Sequence, residues 1–539
     1  MQGEVDFMVY IKKIHIEGYK KFDSIDIEFN EKKNLLVGDN GSGKSTILDA
    51  IDLALNHSTI RFDLSLLKVM FNIDNVNKFK IDCSISSLPR ILIQIFFDGT
   101  DNDPNYQQFY GPYYENSKNK EEFGVEFRAE LDKSLVTNLS EQISNGYIPY
   151  EYYQLTSITF ANSQYRPGIS NISFCLINSS NSSLHGVNTY SKMMFKTLLQ
   201  DEQLKLKNKF SIELDKAMDE TMKLLSDGTP KFSSNVEKSS LENIVEIYEN
   251  NLPISSLGQG NESIIKTKNL IKHYGKATII GIEEPENHLS YSTMNQMIQI
   301  IQNENINKQL IITSHSNRIA SGIGLNNVIG LSNKTNEVVS LKKLNKQTIE
   351  YFESLPSDSL LQFILSKKVI LVEGPAEQIY MTEFYKKESS FKMEENGVSC
   401  IAVNGLSFRH YVYIAKIMGI KVCVITDNDN DIDKVNRFKS DLKEIYNSDK
   451  FELFCDDDPN RRTFEICLYE DNKELIEKEL KLQDGAEYKH KYAKDNRYLG
   501  KMLNDKTGSA LELIKNPAFV KDCVIPNYIK VAIEFINHE

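Results

Sequence analysis

Short apolar runs alternate with amphipathic stretches along most of the chain, a pattern that predicts strands alternating with helices. Residues 9–16 and 25–29 read as two strands around a turn. Residues 35–37 read as a third strand, and a helix that includes residues 46–51 follows it. The run at residues 91–97 is the clearest strand of the region that comes next. We therefore predict an α/β fold for this part of the chain.

The middle of the chain interrupts this alternation twice. Residues 98–124 are polar and rich in turn formers, which predicts a surface insertion. From about residue 190 to 250 apolar residues recur at helical spacing, which predicts a helical insertion. This insertion is equally well interpreted as a dimer contact or as a lid packed on its own domain. The apolar runs at 277–282 and 309–313 then predict parallel core strands.

A second α/β series begins at Lys367, after polar connecting sequence over residues 335–365. Its strands are predicted at residues 369–372, 400–403 and 422–426, and a closing helix at 527–537. A renewed alternation after connecting sequence indicates a second domain. We predict one domain over residues 1–350 and another over residues 366–539.

Composition places the chain among ordinary globular proteins, with 539 residues, 40% hydrophobic and 26% charged. No apolar run approaches the ~20 residues of a membrane-spanning helix, and the acidic, polar N-terminus does not resemble a signal peptide. The seven cysteines include no C-x-x-C pair, which favours free thiols in a reducing compartment over a disulfide or zinc framework. We expect a cytoplasmic protein without a membrane partner.

The net charge of −12 argues against a surface coated for nucleic acid, although a local basic groove or bound metal ions suffice for binding. Lysine-rich stretches occur at residues 205–209 and 489–494. A solvated helix face is the favoured interpretation of each.

Residues 38–45 read G-D-N-G-S-G-K-S between a predicted strand and a predicted helix, which is the layout of a phosphate-binding P-loop. Glycines let the backbone approach an anion, and the helix that follows directs its N-terminal amides at it. The lysine can reach the β- and γ-phosphates, and the serine hydroxyl can bind Mg²⁺. We predict a site for ATP with Mg²⁺ made by Gly38, Asn40, Gly41, Gly43, Lys44, Ser45 and Thr46.

Three further motifs fit a nucleotide-hydrolysing site. Residues 277–289 form an apolar strand that ends in two acids, of which Glu283 can hold Mg²⁺ and Glu284 can polarise the attacking water. Residues 309–316 place His315 just past another buried strand, where its imidazole can contact the γ-phosphate. Residues 255–260, S-S-L-G-Q-G, precede a helix and form a second anion-accepting helix start.

Together these motifs resemble the ABC-type ATPases of the SMC, Rad50 and RecF group. The resemblance implies that two ATPase heads sandwich nucleotide, so that Ser256, Gly258 and Gln259 act in trans within a homodimer or higher oligomer. Two departures are present: Glu283 stands where Asp is usual, and the signature is not the full L-S-G-G-Q.

Two further residues are candidates for this site. Gln94 is a candidate for the glutamine of the Q-loop, which the resemblance leads us to expect. Arg166 is interpreted either as a phosphate contact or as a surface arginine.

The second α/β series places acids at the ends of two predicted strands. One strand ends in Glu373, with Glu377 at the start of the next helix, and another ends in Asp427, Asp429 and Asp431. Strand ends of a parallel sheet share one edge, so these carboxylates should converge. Converging carboxylates favour Mg²⁺ or Mn²⁺, and two such ions support phosphodiester cleavage. The D-N-D-N-D run lacks the later glycine and glutamate of a calcium-binding EF-hand loop.

The E-G-x-x-E and D-x-D pair resembles the Toprim domain of topoisomerases, primases and certain nucleases. An ABC-type ATPase domain followed by a Rossmann-like Toprim domain resembles the OLD (overcoming lysogenization defect) family of bacterial and phage nucleases. The resemblance implies a set of metal ligands and a lysine that stabilises transition-state charge, with Phe464 standing where Leu is usual. The implied ligands are Glu373, Glu377, Asp427, Asp429 and Glu465, and the implied lysine is Lys501. Asp431 either joins this site or faces solvent.

We interpret the chain as a nucleotide-regulated, divalent-metal-dependent DNA endonuclease, with a role in antiphage defence that rests on the family resemblance alone. One alternative is a DNA-binding SMC-like ATPase without nuclease activity. Another is a topoisomerase or primase, although neither a zinc-binding module nor a strand-passage domain is apparent. A third is an effector gated by a partner, such as a helicase or a retron reverse transcriptase with its reverse-transcribed DNA.

Overall fold

The structure is a computed structural model of the chain. The residues that the structure describes are 9–56, 66–98, 104–113, 120–132, 134, 139–167, 172–178, 195, 200–223, 241, 248–249, 251–273, 278–302, 308–331, 338–354, 359–403, 407–482, 488, 490–491 and 496–538.

The chain divides into two compact units, residues 1–342 and 343–539. Each unit contains its own cluster of buried apolar side chains. The predicted domain limits, 1–350 and 366–539, stay predictions. Of the residues between those limits, the described ones belong to the second compact unit.

The first unit consists of strands in two larger sheets and one short hairpin, with helices between them. Its strands are β1 (Tyr10–Tyr19), β2 (Phe22–Glu28), β3 (Lys33–Gly38), β4 (Ile91–Asp98), β5 (Tyr110–Pro112), β6 (Glu121–Leu131), β7 (Tyr153–Thr159), β8 (Phe174–Asn178), β9 (Tyr248–Glu249), β10 (Leu252–Pro253), β11 (Ile279–Glu283), β12 (Gln309–Thr313), β13 (Val328–Leu331) and β14 (Val338–Ser340). Its helices are α1 (Lys44–Asn56), α2 (Leu67–Met70), α3 (Ile73–Asp82), α4 (Ser140–Ser144), α5 (Gln200–Lys223), α6 (Gln259–His273), α7 (Tyr291–Gln302) and α8 (Asn317–Ile323).

One sheet of the first unit brings the predicted nucleotide motifs to a common edge. Its strand order is β14-β13-β3-β12-β11-β8, and all its pairs are parallel except β13 with β14. Thr313 on β12 lies in register with Glu283 on β11 and with Leu36 on β3. The two acids, the T-S-H-S segment and the P-loop therefore follow neighbouring strand ends.

The other sheet is antiparallel, in the order β2-β1-β4-β6-β5 with β7 paired to β6. Ile14 and Ile16 on β1 are fully buried, while their neighbours Lys13, His15 and Glu17 are partly exposed, which is the alternation expected of a strand with one face on a core. Helix α1 packs against strands of both sheets, so its buried apolar residues join the two into one core.

The structure corrects two of the sequence expectations for the connecting regions, and it describes only part of the third. The expected surface insertion at 98–124 contains β5 and the start of β6, and Phe109 within it is 1% exposed, because its ring packs into the core. The expected connecting sequence at 335–365 forms β14 and two helices. Of the expected helical insertion, α5 is a 24-residue helix that is exposed along most of residues 201–217. Much of the rest of 190–250 lies outside the described residues.

The second unit is built on a four-stranded, wholly parallel sheet in the order β16-β15-β17-β18. Its strands are β15 (Lys368–Val372), β16 (Val398–Ala402), β17 (Lys421–Ile425) and β18 (Phe451–Phe454). Its helices are α9 (Lys346–Ser354), α10 (Ser359–Leu365), α11 (Pro375–Ser389), α12 (Phe408–Met418), α13 (Ile432–Ile445), α14 (Phe464–Asp471), α15 (Lys473–Glu479), α16 (Arg497–Asn504), α17 (Lys506–Ile514), α18 (Pro517–Asp522) and α19 (Asn527–Asn537).

The ends of β15 and β17 lie side by side in this sheet, because the two strands are parallel neighbours in register from Lys368 and Lys421 onward. The E-G-x-x-E and D-x-D segments therefore start from adjacent strand ends. No helix in the described part of the chain is long and apolar enough to cross a membrane. All seven cysteines are free thiols.

Candidate active sites

The P-loop closes over the turn between β1 and β2. Gly41 and Gly43 have positive φ angles of +76° and +99°, which favour glycine. A Cβ atom on Gly43 would lie 2.3 Å from Cζ of Phe22, whose side chain is buried. Lys21 in the same turn donates a hydrogen bond to the Gly41 carbonyl at 2.6 Å. Lys21 thus holds the loop in place, and the Phe22 ring together with the φ angle of Gly43 requires glycine at position 43.

Lys44 is buried at the mouth of this loop. Its Nζ donates to the carbonyl oxygens of Gly38 at 2.8 Å and Asp39 at 3.1 Å. Burial lowers the pKa of Lys44, while the charges of Glu284 and Asp39 oppose that shift. The Lys44 ammonium group therefore lies in a polar pocket at the P-loop. Its positive charge would balance the negative charge of a phosphate bound there.

Ser45 and Glu283 are brought together as an oxygen pair suited to Mg²⁺. Ser45 hydrogen bonds to the Glu283 carboxylate, and burial raises the pKa of Glu283. The other predicted loop residues flank this pair, with Asn40 exposed in the loop and Thr46 half-buried in the first turn of α1. Hard divalent cations prefer such hydroxyl and carboxylate oxygens.

Glu284 and His315 form a pair beside the loop. His315 Nε2 lies 3.3 Å from Glu284 Oε1, and Asn287 Nδ2 donates to Glu284 Oε2 at 2.9 Å. The Glu284 amide donates to the carbonyl of Thr313 at 3.0 Å, and its φ angle of +43° turns the chain sharply after β11. The structure thus fixes both carboxylate oxygens of Glu284.

Glu286 ties the two motifs together, a role that sequence reasoning missed. Its Oε1 accepts hydrogen bonds from Ser314 Oγ and from the His315 amide, both at 2.7 Å. The only sequence signal is that Glu286 is the third acid of E-E-P-E, and its partners lie far along the chain.

The signature-like residues lie at the start of α6. Ser256 and Gly258 are exposed before this helix, and Gln259 is its first residue. Gly260 approaches the segment after β11 so closely that a Cβ atom there would lie 2.7 Å from the His288 carbonyl oxygen. Their predicted action in trans stays a prediction.

The structure gives no support for two further candidates. Gln94 is 3% exposed and donates to Glu126 Oε2 at 2.8 Å inside the antiparallel sheet, so its amide group is already engaged by a neighbouring strand. Arg166 is exposed and contacts Gln164 Oε1 at 3.3 Å, which fits the surface-arginine interpretation.

In the second unit, the strand ends bring Glu373 and Asp427 into contact. Glu373 Oε1 accepts a hydrogen bond from the Asp427 amide at 2.8 Å and another from the Thr426 hydroxyl. Asp427 Oδ1 in turn accepts from the Phe464 amide at 2.8 Å. The E-G-x-x-E strand, the D-x-D loop and the start of α14 are therefore joined around these carboxylates.

Glu377 and Glu465 complete a group of acids with little access to water. They are 6% and 2% exposed and lie in the first turns of α11 and α14. Burial raises the pKa of Glu377, and the charges of Glu465 and Glu373 raise it further. Burial, then Glu373 and Glu465, hold the pKa of Asp427 well above its usual range. Burial and mutual repulsion thus oppose the ionisation of several carboxyl groups at this edge of the sheet.

The lysine that reaches these acids is Lys506, and the prediction of Lys501 needs correction. Lys506 Nζ lies 2.9 Å from Glu465 Oε2, and although burial lowers the pKa of Lys506, Glu465 and Asp427 raise it overall. Lys501 Nζ instead binds Glu512 Oε2 at 2.5 Å and the Lys481 carbonyl at 2.6 Å. Lys501 lies on α16 and Lys506 begins α17, after the chain changes direction at Asp505. Lys501 therefore binds Glu512, and Lys506 binds Glu465.

Asp429 and Asp431 diverge from Asp427. Asp429 is exposed, with a φ angle of +50°. Asp431 caps α13, because its Oδ1 accepts from the Lys434 amide at 2.9 Å. Asp431 therefore serves the helix, and Asp429 remains the exposed carboxylate of the D-x-D pair.

The acids of the second unit fit a divalent cation by their chemistry. Within the described ranges, no three Asp, Glu, His or Cys side chains are already arranged as a metal site. However, Glu465 Oε1 is a buried carboxylate oxygen without a hydrogen-bond partner in that part of the chain. Buried carboxylates that repel one another and leave an oxygen unbonded are stabilised by a cation. The donor set consists of oxygens, as Mg²⁺ and Mn²⁺ prefer.

Comparison with known families matches both units. A family model described as an AAA ATPase domain matches residues 9–320, more than half of the chain. A second, described as the TOPRIM domain of overcoming lysogenization defect protein-like proteins, matches residues 364–429. The chain belongs to the AAA ATPases and carries an OLD-like Toprim domain. The family and fold class predicted from the sequence are thereby confirmed.

Curated relatives of this AAA–Toprim protein match over limited segments. The retron Ec83 probable ATPase of Escherichia coli is 53% identical over 53 residues, which is 10% of each chain. Endonuclease GajA of Bacillus cereus (strain HuB5-5) is 28% identical over 34% of this chain and 32% of its own length. The Old nuclease of Escherichia phage P2 is 27% identical over 28% of each chain. The AAA–Toprim protein thus spans no more than about a third of these relatives' lengths.

Proposed function

We propose that this AAA–Toprim protein is a nucleotide-controlled DNA endonuclease that depends on a divalent metal ion. The observation that carries the proposal is the meeting of Glu373, Glu377, Asp427 and Glu465 with Lys506 at one edge of the Toprim sheet. The names of two relatives, an endonuclease and a nuclease, support the same reaction class. A role in antiphage defence is proposed from the family alone.

At the Toprim site, Glu373, Glu377, Asp427, Asp429 and Glu465 would hold Mg²⁺ or Mn²⁺. The ion supplies positive charge that favours a nucleophilic water and stabilises the leaving oxygen of a phosphodiester. Lys506 adds a protein cation beside Glu465, which would stabilise the charge that develops on the phosphate. The hydrogen bonds from Asp427 to Glu373 and from Phe464 to Asp427 fix the carboxylates before DNA arrives.

At the nucleotide site, Ser45 and Glu283 would hold Mg²⁺ while Lys44 binds the β- and γ-phosphates of ATP. Glu284 is the group that would accept a proton from the attacking water, and His315 and Asn287 orient its two oxygens. Ser256, Gly258 and Gln259 would cap the nucleotide of a second copy, so we propose a homodimer or larger assembly.

The decisive experiment incubates the full-length protein with supercoiled plasmid and Mg²⁺ or Mn²⁺, with and without ATP. Asp427→Asn keeps the shape of the side chain and removes its charge. Asp431→Asn is the matched control, because it removes a charge from the same loop while asparagine still caps α13. Lys44→Ala tests the control by nucleotide.

We expect the wild type and Asp431→Asn to nick or cut the plasmid and Asp427→Asn to be at least about 100-fold slower, the scale on which removal of one preorganised charge acts. A difference between the ATP lanes that Lys44→Ala abolishes would give the sign of nucleotide control. Equal cleavage by wild type and Asp427→Asn would contradict the proposal.

A second candidate is an effector that cleaves only with a partner. The name of one relative, a retron probable ATPase that is 53% identical over 53 residues, is the observation behind this alternative. Plasmid cleavage that appears only after co-purification with a reverse transcriptase and its DNA, or with a helicase, would support it. Cleavage by the purified protein alone would exclude it.

A further inference from the structure

The D-x-D loop is held to the rest of the Toprim unit by the side chain between its two acids. Asn428 is 1% exposed, although it is polar and lies in a loop. Its Nδ2 donates to the carbonyl oxygens of Asp458 at 2.8 Å and Asp456 at 3.0 Å, and lies 3.3 Å from that of Arg461. Its Oδ1 accepts from the Asn430 amide at 2.9 Å. Asn428 thus binds both its own loop and the segment that follows β18.

Two more hydrogen bonds continue this attachment towards the acids. The Asp429 amide donates to the Arg462 carbonyl at 3.2 Å, and Asp427 Oδ1 accepts from the Phe464 amide at 2.8 Å. Residues 427–430 therefore lie along residues 456–464, and the latter segment leads directly into the first turn of α14 with Glu465. The position of Asp427 relative to Glu465 depends on this contact.

The loop adopts a backbone conformation that needs outside support. Asp429 and Asn430 have φ angles of +50° and +65°. Residues other than glycine adopt this left-handed backbone conformation at a cost in free energy. Asn428 precedes both residues and bonds to the second. Without its amide, the loop would lose the contacts that offset this strain.

The segment that receives the Asn428 amide is itself braced. Arg461 Nε contacts Asp456 at 3.0 Å, and its Nη1 and Nη2 bond to the two carboxylate oxygens of Asp471 at 2.7 and 2.8 Å. This bidentate pair fixes the segment to the end of α14. Asn428 is therefore attached to a rigid support.

We propose that Asn428 is a positioning residue: its hydrogen bonds hold the loop so that Asp427 and Asp429 are oriented to bind a metal ion. This inference rests on the proposed function of the same site. An amide is required because its NH₂ group carries hydrogens for the surrounding carbonyl oxygens. A carboxylate of the same shape would direct negative charge at three carbonyl oxygens in a buried place. The D-N-D sequence thus places a partly buried carboxylate, Asp427, and an exposed one, Asp429, on either side of one buried donor.

The test measures Mn²⁺ binding to the nucleotide-free, full-length protein by electron paramagnetic resonance of the free ion, alongside plasmid cleavage. The variants are Asn428→Ala, Asn428→Asp and Asn428→Ser, the last of which keeps one hydrogen-bond donor. Asn436→Ala is the control, because Asn436 is exposed on α13. Asp427→Asn reports the loss of a proposed ligand, and circular dichroism verifies the fold of each variant.

We expect the dissociation constant for Mn²⁺ to rise by about 10- to 100-fold in Asn428→Ala, the range for residues that orient metal ligands. Asn428→Asp should lose more and Asn428→Ser less, and Asn436→Ala should match the wild type. Saturating Mn²⁺ should restore much of the cleavage rate of Asn428→Ser, which a merely misfolded site would not allow.

Two results separate the failure of this inference from that of the proposed function. If Asp427→Asn loses Mn²⁺ binding while all Asn428 variants bind like Asn436→Ala, the positioning role is wrong and the metal site stands. If wild type and Asp427→Asn bind Mn²⁺ equally, the proposed metal site is itself wrong. If Asn428→Ala does not fold, the Asn428→Ser and Asn428→Asp data decide by the same criteria.

Discussion

At the scale of single residues, Lys506 carries the positive charge that faces the Toprim carboxylates. Its Nζ lies 2.9 Å from Glu465 Oε2, whereas the Nζ of Lys501 is bound by Glu512 on α17. Asp427 and Glu377 both have their pKa values raised by burial and by neighbouring acids, and Lys506 opposes both shifts. The charge balance of the site therefore depends on this lysine.

Replacement of Lys506 by Met should impair catalysis, whereas replacement of Lys501 should impair folding. Lys506→Met leaves Glu465 without its cation, so we expect metal-dependent cleavage to fall by about 100-fold or more. Lys501→Met leaves the partly exposed Glu512 carboxylate without its partner, so we expect a loss of about 1–3 kcal/mol in the free energy of unfolding. Cleavage per folded molecule should persist in the second variant.

Plasmid cleavage and chemical denaturation of both variants provide the measurement, and Lys506→Arg serves as the charge-preserving control. If Lys501→Met loses cleavage while Lys506→Met retains it, the assignment of Lys506 is wrong.

At the scale of elements, a polar row crosses the antiparallel sheet. Asp26 on β2, His15 on β1, Gln94 on β4 and Glu126 on β6 lie opposite one another in register. His15 Nδ1 contacts Asp26 at 3.1 Å, and its Nε2 lies 4.0 Å from Glu17. The two strands of the N-terminal hairpin are thus joined by a titratable pair beside their backbone hydrogen bonds.

This pair should make the stability of the first unit depend on pH above neutrality. Although burial opposes it, hydrogen bonds to Asp26 and Glu17 raise the pKa of His15 to about 9. An imidazole whose pKa is higher in the folded state than its ordinary 6.5 stabilises the fold fully below pH 6.5. That contribution is lost as the pH rises through about 9.

Because the Asp26 side chain is 55% exposed, the contribution should be only about 1 kcal/mol, or a few degrees in Tm. Thermal unfolding between pH 6 and 10 should show this decline for the wild type relative to His15→Gln. A constant difference between the two proteins across that range would contradict the predicted titration.

At the scale of the whole molecule, both units carry acidic residues at the ends of parallel strands. Each places acids at the ends of neighbouring parallel strands, Glu283 and Glu284 in the first unit and Glu373 and Asp427 in the second. Each unit also has its own apolar core, and the core of the second is formed by residues between Ile370 and Ile536. With a net charge of −12, any contact with DNA must depend on local groups and bound metal ions.

A fragment of residues 343–539 should therefore fold by itself. Because its core contains side chains of its own segment, we expect a cooperative thermal transition and Mn²⁺ binding as tight as in the full-length protein. Plasmid cleavage by the fragment should no longer respond to ATP. The same fragment with Asp427→Asn controls for nonspecific Mn²⁺ binding, and a fragment without a cooperative transition would refute the expectation.

The motifs that made the fold predictable are short and continuous. Residues 38–45 and the acids after predicted strands identify a P-loop and a parallel sheet, because strand ends and helix starts are local in sequence. Predictions failed where packing decided the outcome. Phe109 lies in a polar stretch yet is buried, and Gln94 lies in a clear strand yet is paired with Glu126.

The sequence by itself determined the two α/β units, the nucleotide loop and the acids of the Toprim edge, since each is encoded by residues close together in the chain. Only the tertiary structure decided which lysine reaches Glu465. Lys501 and Lys506 lie on successive helices, and Lys501 binds Glu512 while Lys506 binds Glu465. It also decided that Glu286 binds the His315 segment and that Asn428 binds residues 456–461. Such contacts join distant segments, and their geometry depends on how the elements pack.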